Sequence, residues 1–259
     1  MKPTWGAVSR EGQRIYSVLL DTLGLYARCV DDLEVLADVL GVRDDEGDGP
    51  GPTLGSGLKG ARFALVRTMV WSEVGLGTRA AMEKAADLLR EYGAEVEDVG
   101  LPGEFDELPA WHKCIMATDG ATGFLPEYRA HKGKLAGMLA EHVENVKGFS
   151  RADQLRAMDG IAALRPKIDE IAGRYTALIA PSVPDEAPVG IEHTGSAAFN
   201  GIWTALHVPV VNLPGFKGVN GLPIGLSLIA PRYQDRHLLR VCREVGQIFE
   251  GGGGWKSLL

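Results

Sequence analysis

Residues 58–66, LKGARFALV, and residues 77–102, GTRAAMEKAADLLREYGAEVEDVGLP, decide the fold. From Arg62 to Val66 a short apolar run reads as a strand. The second stretch then changes period. Met82, Ala85, Ala86 and Leu89 form one stripe, with Thr78 placed to cap a helix through Tyr92 and Gly93 placed to close it. Glu95 to Val99 returns to a short strand. The rest of the chain repeats this interleaving, which predicts an α/β sheet covered by helices on both faces.

Upstream, Val30, Leu33, Leu36, Ala37 and Leu40 recur at helical spacing from Cys29 to Leu40, with Asp31 and Asp32 at the positive end of the dipole and Gly41 as a stop. Residues 42–58 are rich in Gly, Pro and acid and read as a flexible surface loop. Downstream, residues 104–174 read mostly as helix. Ser150 with Asp153 resembles a capping box, and Pro166 is expected to kink or interrupt the helix that follows. Ala177 to Ala180 reads as a strand, Ser196 to Leu206 as a helix and Val210 to Leu213 as a strand. Gly215 to Gly221 reads as a turn and Ile224 to Ile229 as a strand. Asp235 opens a last amphipathic helix, and residues 251–259 read as a frayed tail.

The chain has 45% apolar and 24% charged residues, the balance of a globular protein with a sizeable core. Acidic side chains outnumber basic ones by 34 to 27, so the positive field that a phosphate backbone attracts is missing. Neither nucleic acid nor membrane is expected as a partner. Three cysteines, Cys29, Cys114 and Cys242, lie far apart and suit a reducing compartment. With no leader-like segment and no long apolar run, a cytoplasmic location is expected.

Among chemical motifs, Gly75-Leu76-Gly77-Thr78-Arg79-Ala80 approaches a dinucleotide fingerprint, with Glu97 as the following acid. Val66 ends the candidate strand well short of Gly75, where the fingerprint needs a tight turn. His112 and Cys114 lack the spacing of a metal set, and His207 and His237 fall in or beside apolar helices. A serine nucleophile needs an exposed turn, oxyanion donors and a base. Ser227, in Gly225-Leu226-Ser227, sits inside a strand and reads as packing; Ser56 lies in the loop with nothing to hold a base.

Five strings carry more. KPTWGAVSREG (2–12) and LLDTLGLYARCVDDLEVLADVLG (19–41) resemble the amidase signature family just downstream of its catalytic serines. The strand–helix–strand unit above, ALIAPSVPDEAP (177–188), and residues 199–245, with Val-Pro, Leu-Pro-Gly and Gly-Leu-Pro-x-Gly in order, are similar to the family's later segments. The resemblance implies hydrolysis of carbon–nitrogen amide bonds without metal or organic cofactor, by a Ser–Ser–Lys triad beside a Gly/Ser-rich loop. In the family those groups precede the Lys-Pro-Thr turn, and here Lys2-Pro3-Thr4 directly follows Met1. Lys2 therefore takes no catalytic role from the resemblance, and no catalytic residue is assigned.

The implied fold is part of the amidase mixed sheet flanked by helices, with residues 1–259 forming a single incomplete domain that leaves a sheet edge and apolar faces uncovered. It also implies ion pairs made by Asp21 and Arg28 to steady the active site, and an acyl pocket lined by Met116, Asp119, Trp203 and Thr204. The expected partners are a small amide, a separate upstream half and a second copy of the chain. The alternative is a non-catalytic small-ligand-binding or assembly protein on the same scaffold.

Overall fold

The computed structural model of the chain describes residues 1–44 and 57–256. Most of the loop expected over 42–58, Ser56 included, and the last three residues of the tail lie outside the described residues. Five strands form one mixed sheet: β1 (Arg62–Arg67), β2 (Glu95–Gly100), β3 (Ala177–Pro181), β4 (Val210–Lys217) and β5 (Pro223–Ile229), in the order β2-β1-β3-β5-β4. β1 pairs in parallel with β2 and β3, whereas β5 runs antiparallel to both β3 and β4.

The alternation of strand side chains divides the interior into two cores. Phe63, Leu65, Ile179, Leu226 and Leu228 meet α1 (Val30–Val39), α2 (Leu76–Glu91) and α8 (Asp235–Gly252) on one face. Ala64, Val66, Leu178, Ala180 and Ile229 meet α3 (Leu108–Gly123), α6 (Arg151–Ala172) and α7 (Ala198–Ala205) on the other. Burial on both faces explains why these strands read as continuous apolar runs. Two short helices, α4 (Leu125–His131) and α5 (Gly137–Val143), cover the outside of α3.

Several expectations require correction. α2 begins at Leu76 with Gly75 as its N-cap, two residues before Thr78, which lies buried in the first turn. Its cap comes from elsewhere in the chain. Gly75 N donates to Pro184 O at 2.8 Å and Gly77 N to Asp185 Oδ2 at 3.3 Å. Asp185 thus occupies the anion position at this helix end, and a Cβ on Gly75 would collide with its carboxylate. The place a pyrophosphate would need is filled, which removes the dinucleotide reading.

Pro166 does not interrupt α6, which runs from Arg151 to Ala172. The Ser150–Asp153 capping box forms as expected, and Ile161, Leu164, Ile168 and Ala172 bury the helix on both sides of the proline. Packing therefore outweighs the missing backbone donor.

β4 continues through the expected turn to Lys217, with a bulge between Pro214 and Phe216. The tail is not frayed up to residue 256. Gly254 bridges Phe216, and Trp255 N donates to Gly215 O at 3.0 Å. Lys2 bridges Val210 near the other end of the same strand. The sheet edge expected to be bare is therefore strapped on either side of Asn212. The opposite edge, β2, carries Glu95, Glu97 and Asp98, charges that discourage edge pairing.

Candidate active-site cleft

β5 holds Ser227 directly opposite Asn212 on β4 and opposite Ala180 on β3. Ser182 follows Ala180 by one full strand period, so Ser182, Ser227 and Asn212 project from the same sheet face, toward α7. Their side chains form one chain of hydrogen bonds. Ser182 Oγ lies 2.8 Å from Ser227 Oγ and donates to Asn212 Oδ1 at 2.9 Å. Ser182 and Ser227 are buried, and Asn212 is exposed.

Above this row opens a cavity of about 490 Å³, walled by Lys2, Asn200, Trp203 and Thr204 together with the polar row. A second cavity, of about 580 Å³, shares Ser182, Val183 and Asn212 with the first and extends over Pro184 to Pro188 and Trp255. A third, of about 170 Å³, reaches Asn212 from the side of Arg28 and Cys29. All three meet at Asn212.

Lys2 Nζ donates to Val208 O at 2.5 Å and to Pro3 O at 3.0 Å. Burial lowers its pKa to about 8, partly opposed by the negative charge of Asp235. The Lys-Pro-Thr turn is itself held from below. Asp235 is fully buried and accepts from Thr4 N at 2.8 Å and from Thr4 Oγ1 at 2.6 Å. Burial raises the Asp235 pKa, while the bonds from Thr4 oppose the rise. The Nε1 donor of Trp203 is buried without a hydrogen-bond partner among the described residues.

Neither serine hydroxyl has an amine, imidazole or carboxylate within hydrogen-bonding distance among the described residues. A hydroxyl whose only partners are another hydroxyl and a carboxamide oxygen has no base to accept its proton, so it is a poor nucleophile. What the cleft offers is polar orientation and shape.

The residues expected at the pocket divide. Trp203 and Thr204 line the cleft. Met116 packs in the core beneath α7, and Asp119 accepts from Ser17 Oγ at 2.5 Å; neither is part of the cleft wall. Both lie on α3, which packs against α7. Asp21 accepts from Tyr16 N at 2.6 Å, and its carbonyl accepts from Arg10. Arg28 is exposed and borders the smallest cavity. Neither makes an ion pair among the described residues, because Asp21 is turned toward the backbone of its own segment. Sequence reasoning passes over Ser182 and Asn212 and reads Ser227 as packing. The available signal is a polar residue inside each of two apolar strand segments, Asn212 and Ser227, and one just past the end of a third, Ser182.

A family model described as Amidase matches residues 1–239. The chain belongs to the amidase signature family. It is 24% identical over 284 residues to a glutamyl-tRNA(Gln) amidotransferase subunit from Staphylococcus epidermidis, a match covering 93% of this chain and 57% of that protein. To the corresponding chloroplastic/mitochondrial amidotransferase subunit from Oryza sativa subsp. indica it is 26% identical over 299 residues, covering 96% and 54%. The chain thus spans little more than half the length of these curated relatives.

Among solved structures, it matches a vestigial protein complex described as revealing the evolutionary origins of an s-triazine catabolic enzyme. That match has a TM-score of 0.80 and 26% identity, over 98% of this chain and 58% of that one. An amidase crystal structure matches with a TM-score of 0.74 and 23% identity, over 97% and 56%, which bears on the fold alone.

Proposed function

We propose that these residues form the downstream wall of an amidase cleft, and that cleavage of a carbon–nitrogen amide bond there uses a nucleophile supplied by an upstream segment. That segment belongs either to the same polypeptide or to a separate chain. The observation that carries this reading is the Ser227–Ser182–Asn212 row, a polar floor facing an open cavity with no base beside either hydroxyl among the described residues. Membership of the amidase family supports the reaction class. The curated relatives are named as subunits, which supports a partner chain. The three cysteines are free, as suits the cytoplasm.

The role of this wall is to bind and orient. Lys2 is fixed by two carbonyls at one side of the cavity, and Trp203 supplies a rigid apolar surface at another. A bound amide is thereby presented to the incoming nucleophile in one geometry, which is where much of a catalytic rate advantage arises.

The test is labelling with a serine-directed fluorophosphonate. The chain alone should remain unlabelled and turn over no simple amide. Adding the amidase segment encoded immediately upstream should produce both labelling and turnover. Stoichiometric labelling of the chain alone would refute the proposal. Persistent inactivity after the addition would favour a non-catalytic ligand-binding protein.

A further inference from the structure

We infer that Asn212 is the amide-reading residue of this cleft, and that its ligand is a neutral carboxamide with a bulky apolar arm seated in the neighbouring cavity. The inference rests on the amidase reading for the choice of an amide, but not on any hydrolysis.

The first part comes from how Asn212 is held. Its Oδ1 accepts from Ser182 Oγ, and Ser182 is held in turn by Ser227. That fixes the plane of the carboxamide and leaves Nδ2 without a partner among the described residues, at the junction of three cavities. The carboxamide lies across Gly225 on the paired strand. A Cβ there would collide with Oδ1, so the glycine provides the space this orientation needs. An oriented N–H donor in a concave site is complementary to a carbonyl oxygen.

The second part comes from the wall beyond Asn212. Val183, Pro184, Ala187, Pro214, Pro223 and Trp255 present an apolar surface around a cavity of about 580 Å³. Two carboxylates stand in the same wall, but both have other tasks. Asp185 accepts from Gly77 N at the start of α2. Glu186 accepts from Asn220 N and Nδ2 and from Leu222 N across the β4–β5 turn. Both keep their negative charge at the cavity wall and would repel an anionic arm, whereas an apolar arm packs against Val183, Pro184, Ala187 and Trp255. Val183 and Asn212 border both large cavities, so one molecule can place its carbonyl at Nδ2 and its arm against Trp255.

The experiment measures binding to the full chain by calorimetry, with hydrocinnamamide as the probe and propionamide as its armless counterpart. Hydrocinnamamide should bind at least roughly tenfold more tightly, as burial of a phenyl group allows. Asn212→Asp keeps the acceptor for Ser182 but removes the donor, and should weaken hydrocinnamamide roughly tenfold. Ala187→Trp fills the arm cavity and should erase the difference between the two probes.

If Asn212→Asp does not fold, the Asn212 side-chain amide resonances of the nitrogen-labelled parent should shift when hydrocinnamamide is added. Equal affinity for the two probes, no binding of either, or indifference to Asn212→Asp would overturn the inference. Hydrolysis plays no part in these readings, so failure of the upstream-segment test would leave this one standing, and the converse holds.

Discussion

Replacing Thr4 by Val tests whether the Lys-Pro-Thr turn is held to the body of the protein by one buried hydroxyl. Thr4 is 1% exposed and Asp235 is 0% exposed. The Thr4 hydroxyl donates to Asp235 Oδ2 at 2.6 Å and accepts from Tyr233 N at 2.9 Å. Valine has nearly the same shape but does neither. A hydrogen bond to a buried charge contributes about 1.5–3 kcal/mol, and a buried amide left unpaired costs about 1–3 kcal/mol. Asp235 retains the bond from Thr4 N, and partial relaxation offsets some of the loss, so a net cost of about 3 kcal/mol is expected.

For a chain of this length each kcal/mol lowers the melting temperature by about 2 °C, which gives a fall of about 6 °C. Thr4→Ser is the control. It keeps the hydroxyl and loses one methyl group, at a cost of about 0.8 kcal/mol and a fall of about 2 °C. The assay is reversible thermal or urea unfolding of the three proteins side by side. If Thr4→Val melts within about 1 °C of Thr4→Ser, the hydroxyl does not hold the turn and the reasoning fails.

Three further outcomes follow from the same structure. Burial, reinforced by Arg165, lowers the His207 pKa to about 3, and its Nε2 faces Leu19 O at 2.7 Å. The unfolded chain takes up that proton near pH 6.5, so stability is full above that pH and declines as the pH falls toward about 3. Asn tolerates the positive φ of 65° at this site, so His207→Asn should flatten melting temperature against pH across that window; an unchanged slope would refute the assignment. Gly215→Ala should lower the urea midpoint sharply, because its Cβ would stand 2.8 Å from the backbone carbon of Phe249; a loss below about 1 kcal/mol would mean that α8 slides freely on β4. Pro166→Ala should stabilise the chain by about 1 kcal/mol or more by restoring a backbone donor inside α6, as read from chemical denaturation; destabilisation would refute the expectation that the missing donor costs stability.

The strands are legible because apolar runs bounded by Gly, Pro and charge leave few alternatives. The capping box at Ser150 is legible because both of its members are local in sequence. Thr78 misleads for the converse reason. The α2 cap comes from Asp185, more than a hundred residues away, and no local pattern announces it. Pro166 misleads because its low helix propensity is local, whereas the packing that overrides it is not.

The site is harder to read. Asn212 is one polar residue in a strand of apolar ones, and its meaning depends on Ser182 and Ser227, which only the sheet register brings beside it. Family position points Met116 and Asp119 at an acyl pocket; in the structure Met116 packs against the core and Asp119 accepts from Ser17 Oγ. The tail looks free because glycines suggest freedom. Gly254 and Trp255 instead lie along β4.

The two straps on β4 bear on how the protein is handled. Lys2 and Trp255 flank Asn212 along a single strand, so a bulky group attached at Lys2 or at Trp255 stands beside the binding cavity. A polyhistidine or fusion partner there can compete with a ligand or obstruct a docking protein. Affinities measured on tagged material will then describe the tag as much as the cavity. An internal label on the distant β2 edge, beyond Glu95, avoids both.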